Sequence, residues 1–488
     1  MTASVHLVVL IHGLWGSPNH LSVAQEELEK AWSGDENGQK VSQDVDGPSD
    51  DPIITSKIQN EDKENGELVI MIAGGMTSQL TYDGVDVCAS RVAFEVDQKI
   101  KELEGEGKKV DKFSVMGYSL GGLVARYLVG LLHSRQPSFF DKHHPVSFST
   151  ISTPHYGIPK YNTLLSTVLC WLGARVMSRS GEQLYVVDNY SDEDQRPLLE
   201  IMADPRSIFY QGLERFDKLE IYASAINDNS VPYPTAAIES VDHFAQWEER
   251  GISVDSDEDG IIQSWTPTDN GSTAEDEDDK NENKNRKKGA SGFGMRLGTL
   301  PPVLRYRFPF NYIILLLFPI MLPLIIILIL TRQSLDTTRS KRRLQLLSQT
   351  SSSGSSSSQV PSSSGLSIQA LRDGIRRIER SLESDLVENQ ELLDSPALHS
   401  HYPIGDGIAK DRGGESGTDL KIILKDSQMR MCYWLNQLPL EKYLTWWPEI
   451  TNAHATAIVR DSHKFPVHER GRGLIKLWAR NLLDKPKQ

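Results

Sequence analysis

Apolar runs of strand length alternate with amphipathic stretches along the first half of the chain. Val5–Ile11, Glu67–Ile72 and Phe113–Met116 are near-continuous apolar runs, Val146–Ser152 and Leu219–Ala225 are strand-length runs with polar residues between the apolar ones, and Leu21–Trp32, Val85–Leu103 and Leu123–Leu132 carry apolar residues at helical spacing. Strands that are apolar on both faces belong in a parallel sheet covered on both sides, so the pattern predicts a right-handed, doubly wound α/β domain. Two segments interrupt it. Asp35 to Lys63 is polar and rich in Gly and Asp, which predicts a surface insertion, and Met76 to Tyr82 fits neither period. After the turn signal Thr153-Pro154-His155-Tyr156-Gly157, the apolar stretch Leu164 to Val176 reads equally well as a cap over a site and as an ordinary core helix.

The second half has a different texture. Tyr312–Leu330 is an unbroken apolar block between Arg305 and Arg307 on one side and Arg332, Arg339, Lys341, Arg342 and Arg343 on the other. At about 1.5 Å per residue it just matches a hydrocarbon core of about 30 Å, and a soluble helix is rarely apolar all round for that length, so membrane contact is expected. Ser348 to Ser364 reads as a tether. Ile368, Leu371, Ile375, Ile378 and Leu382, with arginines between them, make an amphipathic helix that could dock on the domain or lie on a membrane. Strand and helix patterns return at Lys442–Trp447 and Leu474–Leu483. The expected organisation is an α/β core at 1–250, an acidic disordered linker at 251–303, a membrane-inserting segment at 304–332, a Ser-rich disordered tether at 333–367, an amphipathic helix and polar loop at 368–415, and the rest of the core at 416–488.

Charge and cysteine content narrow the class. A formal net charge of −14 argues against a nucleic-acid binder, and much of the excess lies in the Asp255–Asp279 run, most simply a solvated linker without ordered metal-ligand spacing. The three cysteines, Cys88, Cys170 and Cys432, are far apart and suggest buried thiols in a reducing compartment. The N-terminal apolar stretch lacks a basic leader and is needed as the first strand, which points to a protein that stays on the cytosolic side.

The chemistry concentrates at Gly117-Tyr118-Ser119-Leu120-Gly121, where a buried strand runs straight into an apolar helix. A serine between glycines at that corner is held in a tight backbone with its Oγ at the sheet edge, a nucleophile elbow. Upstream, an apolar strand ends in His12-Gly13-Leu14-Trp15-Gly16. In α/β-hydrolases such a loop supplies one oxyanion N–H and the residue after the nucleophile the other, here the amides of Leu14 and Leu120. His12 is expected to brace that loop. The order Ser, acid, His then directs the search. Asp228, in the loop after Leu219–Ala225, is the best acid, ahead of Asp217 and Asp242. Among His243, His399, His401, His454, His463 and His468, the base that fits is His454, between the last strand and last helix, with His468 behind it.

Together with Ser152-Thr153-Pro154-His155, the loop from Asn227-Asp228 to Val231-Pro232-Tyr233-Pro234-Thr235-Ala236, and Asn452-Ala453-His454-Ala455, these motifs resemble the serine esterase family of fungal lipid-droplet phospholipases and their relatives. The resemblance covers the N-terminal half and the last sixty or so residues. It implies an α/β-hydrolase cleaving glycerophospholipid esters of broad head-group range through Ser119, Asp228 and His454. No cofactor or metal is expected, and the expected partners are a lipid ester and a membrane or lipid-droplet monolayer. A neutral acylglycerol or sterol-ester lipase, an acyltransferase, and an inactive membrane-anchored scaffold are the alternatives. Because Asp228 precedes the apolar block and His454 follows it, the block should not span. Pro319 and Pro323 near its middle allow a hairpin of two arms, each of about nine residues and about 13 Å, entering one leaflet of a lipid droplet or endoplasmic-reticulum membrane.

Overall fold

A computed structural model describes residues 3–34, 42–46, 53–59, 66–191, 194–266, 331–346 and 422–484. Tyr312–Leu330, the serine tract, the Ile368–Leu382 stripe, His399 and His401 lie outside these residues. Eight strands build the central sheet: β1 (Ala3–Ile11), β2 (Ser42–Asp46), β3 (Ile53–Gln59), β4 (Glu67–Ile72), β5 (Lys108–Tyr118), β6 (His144–Ile151), β7 (Lys218–Ser224) and β8 (Leu440–Thr445). Their order is β8-β7-β6-β5-β1-β4-β3-β2. Every pair from β8 to β4 is parallel, and the β4-β3 and β3-β2 pairs are antiparallel. This is the expected α/β-hydrolase fold.

Side chains divide by parity between two cores, as a sheet covered on both faces requires. Val5, Leu7, Val9 and Ile11 of β1 face one core, with helices α2 (Val85–Gly105) and α3 (Leu120–His133), while Val8 and Leu10 face the other, with α1 (Ser22–Ser33) and the last helix, Arg472–Leu483. The last helix is keyed to the sheet by Trp478, whose buried indole donates to Ser149 Oγ at 2.8 Å, and to α1 by Arg472, paired with Glu27 at 2.5 Å. The C-terminal segment is thereby a structural part of the core.

Three expectations are corrected. Within the expected insertion at 35–63, β2 and β3 continue the sheet, with Ile54 in register with Ile72; the run Ile53-Ile54-Thr55 and Ile58 supply the β-branched residues that favour a strand. The expected linker at 251–303 begins as a β-hairpin, Ser253–Ser256 with Ile262–Thr266. Its acidic residues shape the turn: Asp257 Oδ1 accepts from the amides of Asp259 (3.0 Å) and Ile261 (2.8 Å), and Ile261 is buried. The expected disordered tether at 333–367 begins as helix, over 331–346. Asp336, Thr337 and Ser340 on that helix are buried. They pack through polar contacts, which an apolar-period search does not register.

Met1–Pro267 and Asp336–Gln488 make one compact unit, and Thr268–Leu335 is another. Among the described residues no helix is long and apolar enough to cross a membrane.

Candidate active site

β5 ends at Tyr118 and α3 begins at Leu120, so Ser119 alone makes the turn, with φ 56° and ψ −126°. A non-glycine residue rarely adopts that conformation, and here the surroundings impose it. The Ser119 amide donates to the Ile151 carbonyl of β6 (2.9 Å), and Gly122 N–H donates back to the Ser119 carbonyl (3.1 Å). A Cβ at Gly121 would collide with the carbonyl oxygens of Ile11 and His12, and one at Gly122 with Thr153. The elbow is therefore wedged between the ends of β1 and β6, and its glycines are needed for that approach. Leu120, first residue of α3, belongs to the first turn, whose N–H groups have no carbonyl within the helix and lie at its positive dipole end.

The loop after β1 lies against the serine. A Cβ on Gly13 would sit 2.7 Å from Ser119 Cβ. The Gly16 amide closes on the Gly13 carbonyl (3.0 Å), forming the turn that carries Leu14. Trp15, at φ 54°, donates its amide to Thr81 Oγ1 (3.2 Å) and its indole N–H to the Tyr82 hydroxyl (2.8 Å). Ser78–Tyr82, in the stretch that fitted neither period, is a 3₁₀ turn that props this loop. His12 is fully buried and donates from Nδ1 to the Gly13 carbonyl at 3.0 Å. Burial pushes its pKa down to about 4, so the ring is neutral and serves as a brace.

His454 sits in the short helix Ala453–Thr456, past β8. Its Nε2 is 3.1 Å from Ser119 Oγ and its Nδ1 is 2.9 Å from Asp228 Oδ2. Asp228 Oδ1 accepts from the amides of Ser230 (2.9 Å) and Val231 (2.8 Å), which leaves Oδ2 for the imidazole. Both side chains are nearly enclosed, 8% exposed for His454 and 2% for Asp228. With the carboxylate accepting, the Nδ1 proton is fixed, and Nε2 is free to accept from the serine hydroxyl. All three lie where parallel strands end, as in open α/β sheets generally.

The other candidates are elsewhere. Asp217 pairs with His144 (2.7 Å), Asp242 caps the Phe244 amide (3.2 Å), His243 packs on Trp265 and Tyr233, His463 is exposed, and His468 Nδ1 accepts from the Asp461 amide (3.3 Å).

Several supporting residues escaped the sequence reading. Tyr118 donates its hydroxyl to the His454 carbonyl (2.9 Å), stacks near the imidazole with centroids 5.0 Å apart, and accepts from Arg460 (2.7 Å). Asn227, at φ 64°, donates to the Trp447 carbonyl (3.1 Å), and Asn229 donates to the Thr451 carbonyl (2.9 Å). The Ala453 amide donates to the Asn227 carbonyl (3.0 Å), and Asn452 caps the His454 helix through Ala455. The acid and base loops are thus laced together. The available signal was the Asn-Asp-Asn triplet at 227–229, whose side chains tolerate left-handed backbone and hydrogen-bond locally.

On the acid side of the site is a cavity of about 560 Å³ lined by Asp228, Tyr233, Phe244 and Trp247 together with Leu169 and Cys170 of α4 (Leu164–Val176). Ser119 and His454 are not among its lining residues.

The sequence is similar to known proteins over part of its length. A putative lipase of Schizosaccharomyces pombe is 34% identical over 128 residues, 26% of this chain and 16% of the relative. Putative lipase ROG1 of Saccharomyces cerevisiae is 31% identical over 163 residues, 33% of this chain and 22% of the relative. The matched stretches thus span under a quarter of these relatives' own length. A solved structure, the putative cell surface hydrolase from Lactobacillus plantarum, aligns over 48% of this chain and 74% of that one, at 16% identity and a TM-score of 0.24. Residues 1–240, which hold the His12–Gly16 loop, the elbow and Asp228, match the family described as Putative serine esterase (DUF676).

Proposed function

We propose that the protein is a serine-dependent lipid acyl-ester hydrolase, acting on glycerophospholipids with broad head-group tolerance at the cytosolic face of a lipid droplet or endoplasmic-reticulum membrane. The observation that carries the reading is the hydrogen-bonded series Ser119 Oγ, His454 Nε2, His454 Nδ1 and Asp228 Oδ2 at 3.1 and 2.9 Å. Ser119 attacks the ester carbonyl as His454 takes its proton, and Asp228 holds the tautomer and stabilises the imidazolium. The amides of Leu14 and Leu120 receive the oxyanion, each worth about 3 kcal/mol. The alcohol leaves with the proton from His454, and water activated by the same imidazole releases the fatty acid. These steps use only the side chains named, the two amides and water.

The lipase-like relatives and the apolar block favour a lipid ester over a soluble one. Neutral acylglycerol is the second reading, favoured by the largely aliphatic and aromatic cavity beside Asp228. Two measurements test this. A fluorophosphonate probe should label wild type and not Ser119→Ala, and absence of labelling in wild type would return the inactive scaffold. Turnover of phosphatidylcholine and of triacylglycerol on one mixed emulsion then decides the substrate; exclusive triacylglycerol cleavage would overturn the phospholipid assignment.

A further inference from the structure

α4 exposes apolar side chains on the side away from the protein. Leu164, Val168 and Trp171 recur at helical spacing and are 88%, 57% and 57% exposed. The next residue on that stripe, Arg175, lies over the Trp171 ring at 4.3 Å. Leu169, itself 53% exposed, and Cys170 line the cavity beside Asp228, so the apolar surface of α4 runs from the exposed stripe to that cavity. A soluble helix keeps its outer face polar.

Beside it runs the helix 331–346. Thr337 Oγ1 donates to the Val176 carbonyl, the last of α4, at 2.6 Å, and Ser178 donates to Ser340 (3.2 Å). Ser340 in turn donates to Asp83 (2.7 Å), which is fully buried. Arg343 reaches the same carboxylate (2.7 Å) from this helix, and Arg91 (2.5 Å) from α2. The contact face is therefore Asp336, Thr337, Ser340 and Arg343. Off that face Lys341 and Arg342 are exposed, as are Leu346 at 62% and Arg339, which also pairs with Asp336 at 3.4 Å. The apolar block ends at Leu330, six residues before Asp336.

We infer that the outer stripe of α4 and the basic outer face of this helix form one docking surface for an anionic phospholipid membrane, with Leu164, Val168 and Trp171 entering the interface and Arg175, Arg339, Lys341 and Arg342 meeting lipid phosphates. The inference rests on the lipid-hydrolase reading and names the surface that reading needs. Apolar side chains beside a Trp–Arg pair and a row of cations suit a boundary between hydrocarbon and anionic head groups. The Asp83 clamp and the Thr337–Val176 bond hold this helix against the C-terminal end of α4.

The full-length chain is tested with a polarity-sensitive dye on Val168→Cys, in a Cys170→Ser background that leaves only the buried Cys88 and Cys432. Vesicles of phosphatidylcholine containing phosphatidylserine should blue-shift the dye, and high salt should reverse the shift. Arg175→Glu/Arg339→Glu/Arg342→Glu in the same background should raise the lipid needed for half the response by about 10- to 100-fold, with short-chain soluble ester turnover unchanged. Vesicle binding with no dye response would overturn the proposal, since another part of the chain would then hold the membrane. A response indifferent to the charge reversals would also overturn it, as would a response that grows with protein concentration without vesicles. Fluorophosphonate labelling reports separately on the hydrolase reading, so either can fail alone.

Discussion

At the residue scale the site turns on which atom holds which proton. Asp228→Asn keeps an oxygen for the Ser230 and Val231 amides but turns an N–H₂ toward His454 Nδ1. The ring must then carry its proton on Nε2, where it cannot accept from Ser119. Ester turnover should fall by about 10³- to 10⁴-fold with little change in stability, and a variant within tenfold of wild type would remove Asp228 from the mechanism. Ser119→Ala should lose at least about 10³-fold and stay folded, which circular dichroism and the labelling experiment check together. A third residue-scale prediction concerns His6, buried in β1, where its Nε2 meets Ser114 Oγ at 2.8 Å. Burial, aided by the Lys112 charge, pushes its pKa down to about 3. The unfolded chain takes up this proton below about pH 6.5 and the folded chain does not, so stability falls as pH drops from there toward 3. His6→Gln should therefore flatten the decline in unfolding free energy, measured by urea titration, between pH 6.5 and 5 by up to about 1.4 kcal/mol per pH unit, and an unaltered slope would refute the neutral, buried assignment.

At the scale of elements, Ser119 and the Leu14 loop were legible because each is a local pattern: an apolar strand, a glycine-bounded turn, a helix. His454 was legible only through chain order. Its partner Tyr118 was not, because nothing local in a tyrosine reveals a carbonyl 336 residues away. β2 and β3 were missed because Ser42–Asp46 is polar at four of its five positions and polar residues separate the isoleucines of Ile53–Gln59, which hid the period. The helix 331–346 was missed because it docks through Asp336, Thr337, Ser340 and Arg343 instead of an apolar stripe. The lacing of the acid and base loops makes its own prediction. Asn227→Ala loses both the bond to the Trp447 carbonyl and the side chain's tolerance for φ 64°, whereas Asn227→Gly loses only the bond. The alanine variant should be less stable than the glycine variant by about 1 kcal/mol in urea unfolding. Both should be about tenfold slower on a soluble ester; equal stabilities would show that the backbone conformation there imposes no strain.

For the whole molecule, the decisive fact is that residues on either side of the apolar block share one unit. Met1–Pro267 and Asp336–Gln488 are packed together. Asp83 meets Arg343 inside that unit, and Ser119 meets His454. If Tyr312–Leu330 crossed a bilayer once, these partners would face opposite compartments and neither contact could form. A segment that enters and returns on one side keeps both, and the basic residues on its two flanks suit a single cytosolic face. Tags placed before Arg305 and after Arg343 should therefore show the same protease accessibility in intact microsomes. One tag protected and the other cleaved would mean a true crossing. The Asp83 clamp supplies the companion measurement, because replacing one partner of a buried ion pair leaves the other charge uncompensated, at about 3 to 5 kcal/mol. Asp83→Asn should loosen the helix 336–346 and speed trypsin cleavage at Arg339, Lys341 and Arg342, while the matching of the two tags persists, since the hydrolase core still holds both flanks on one side.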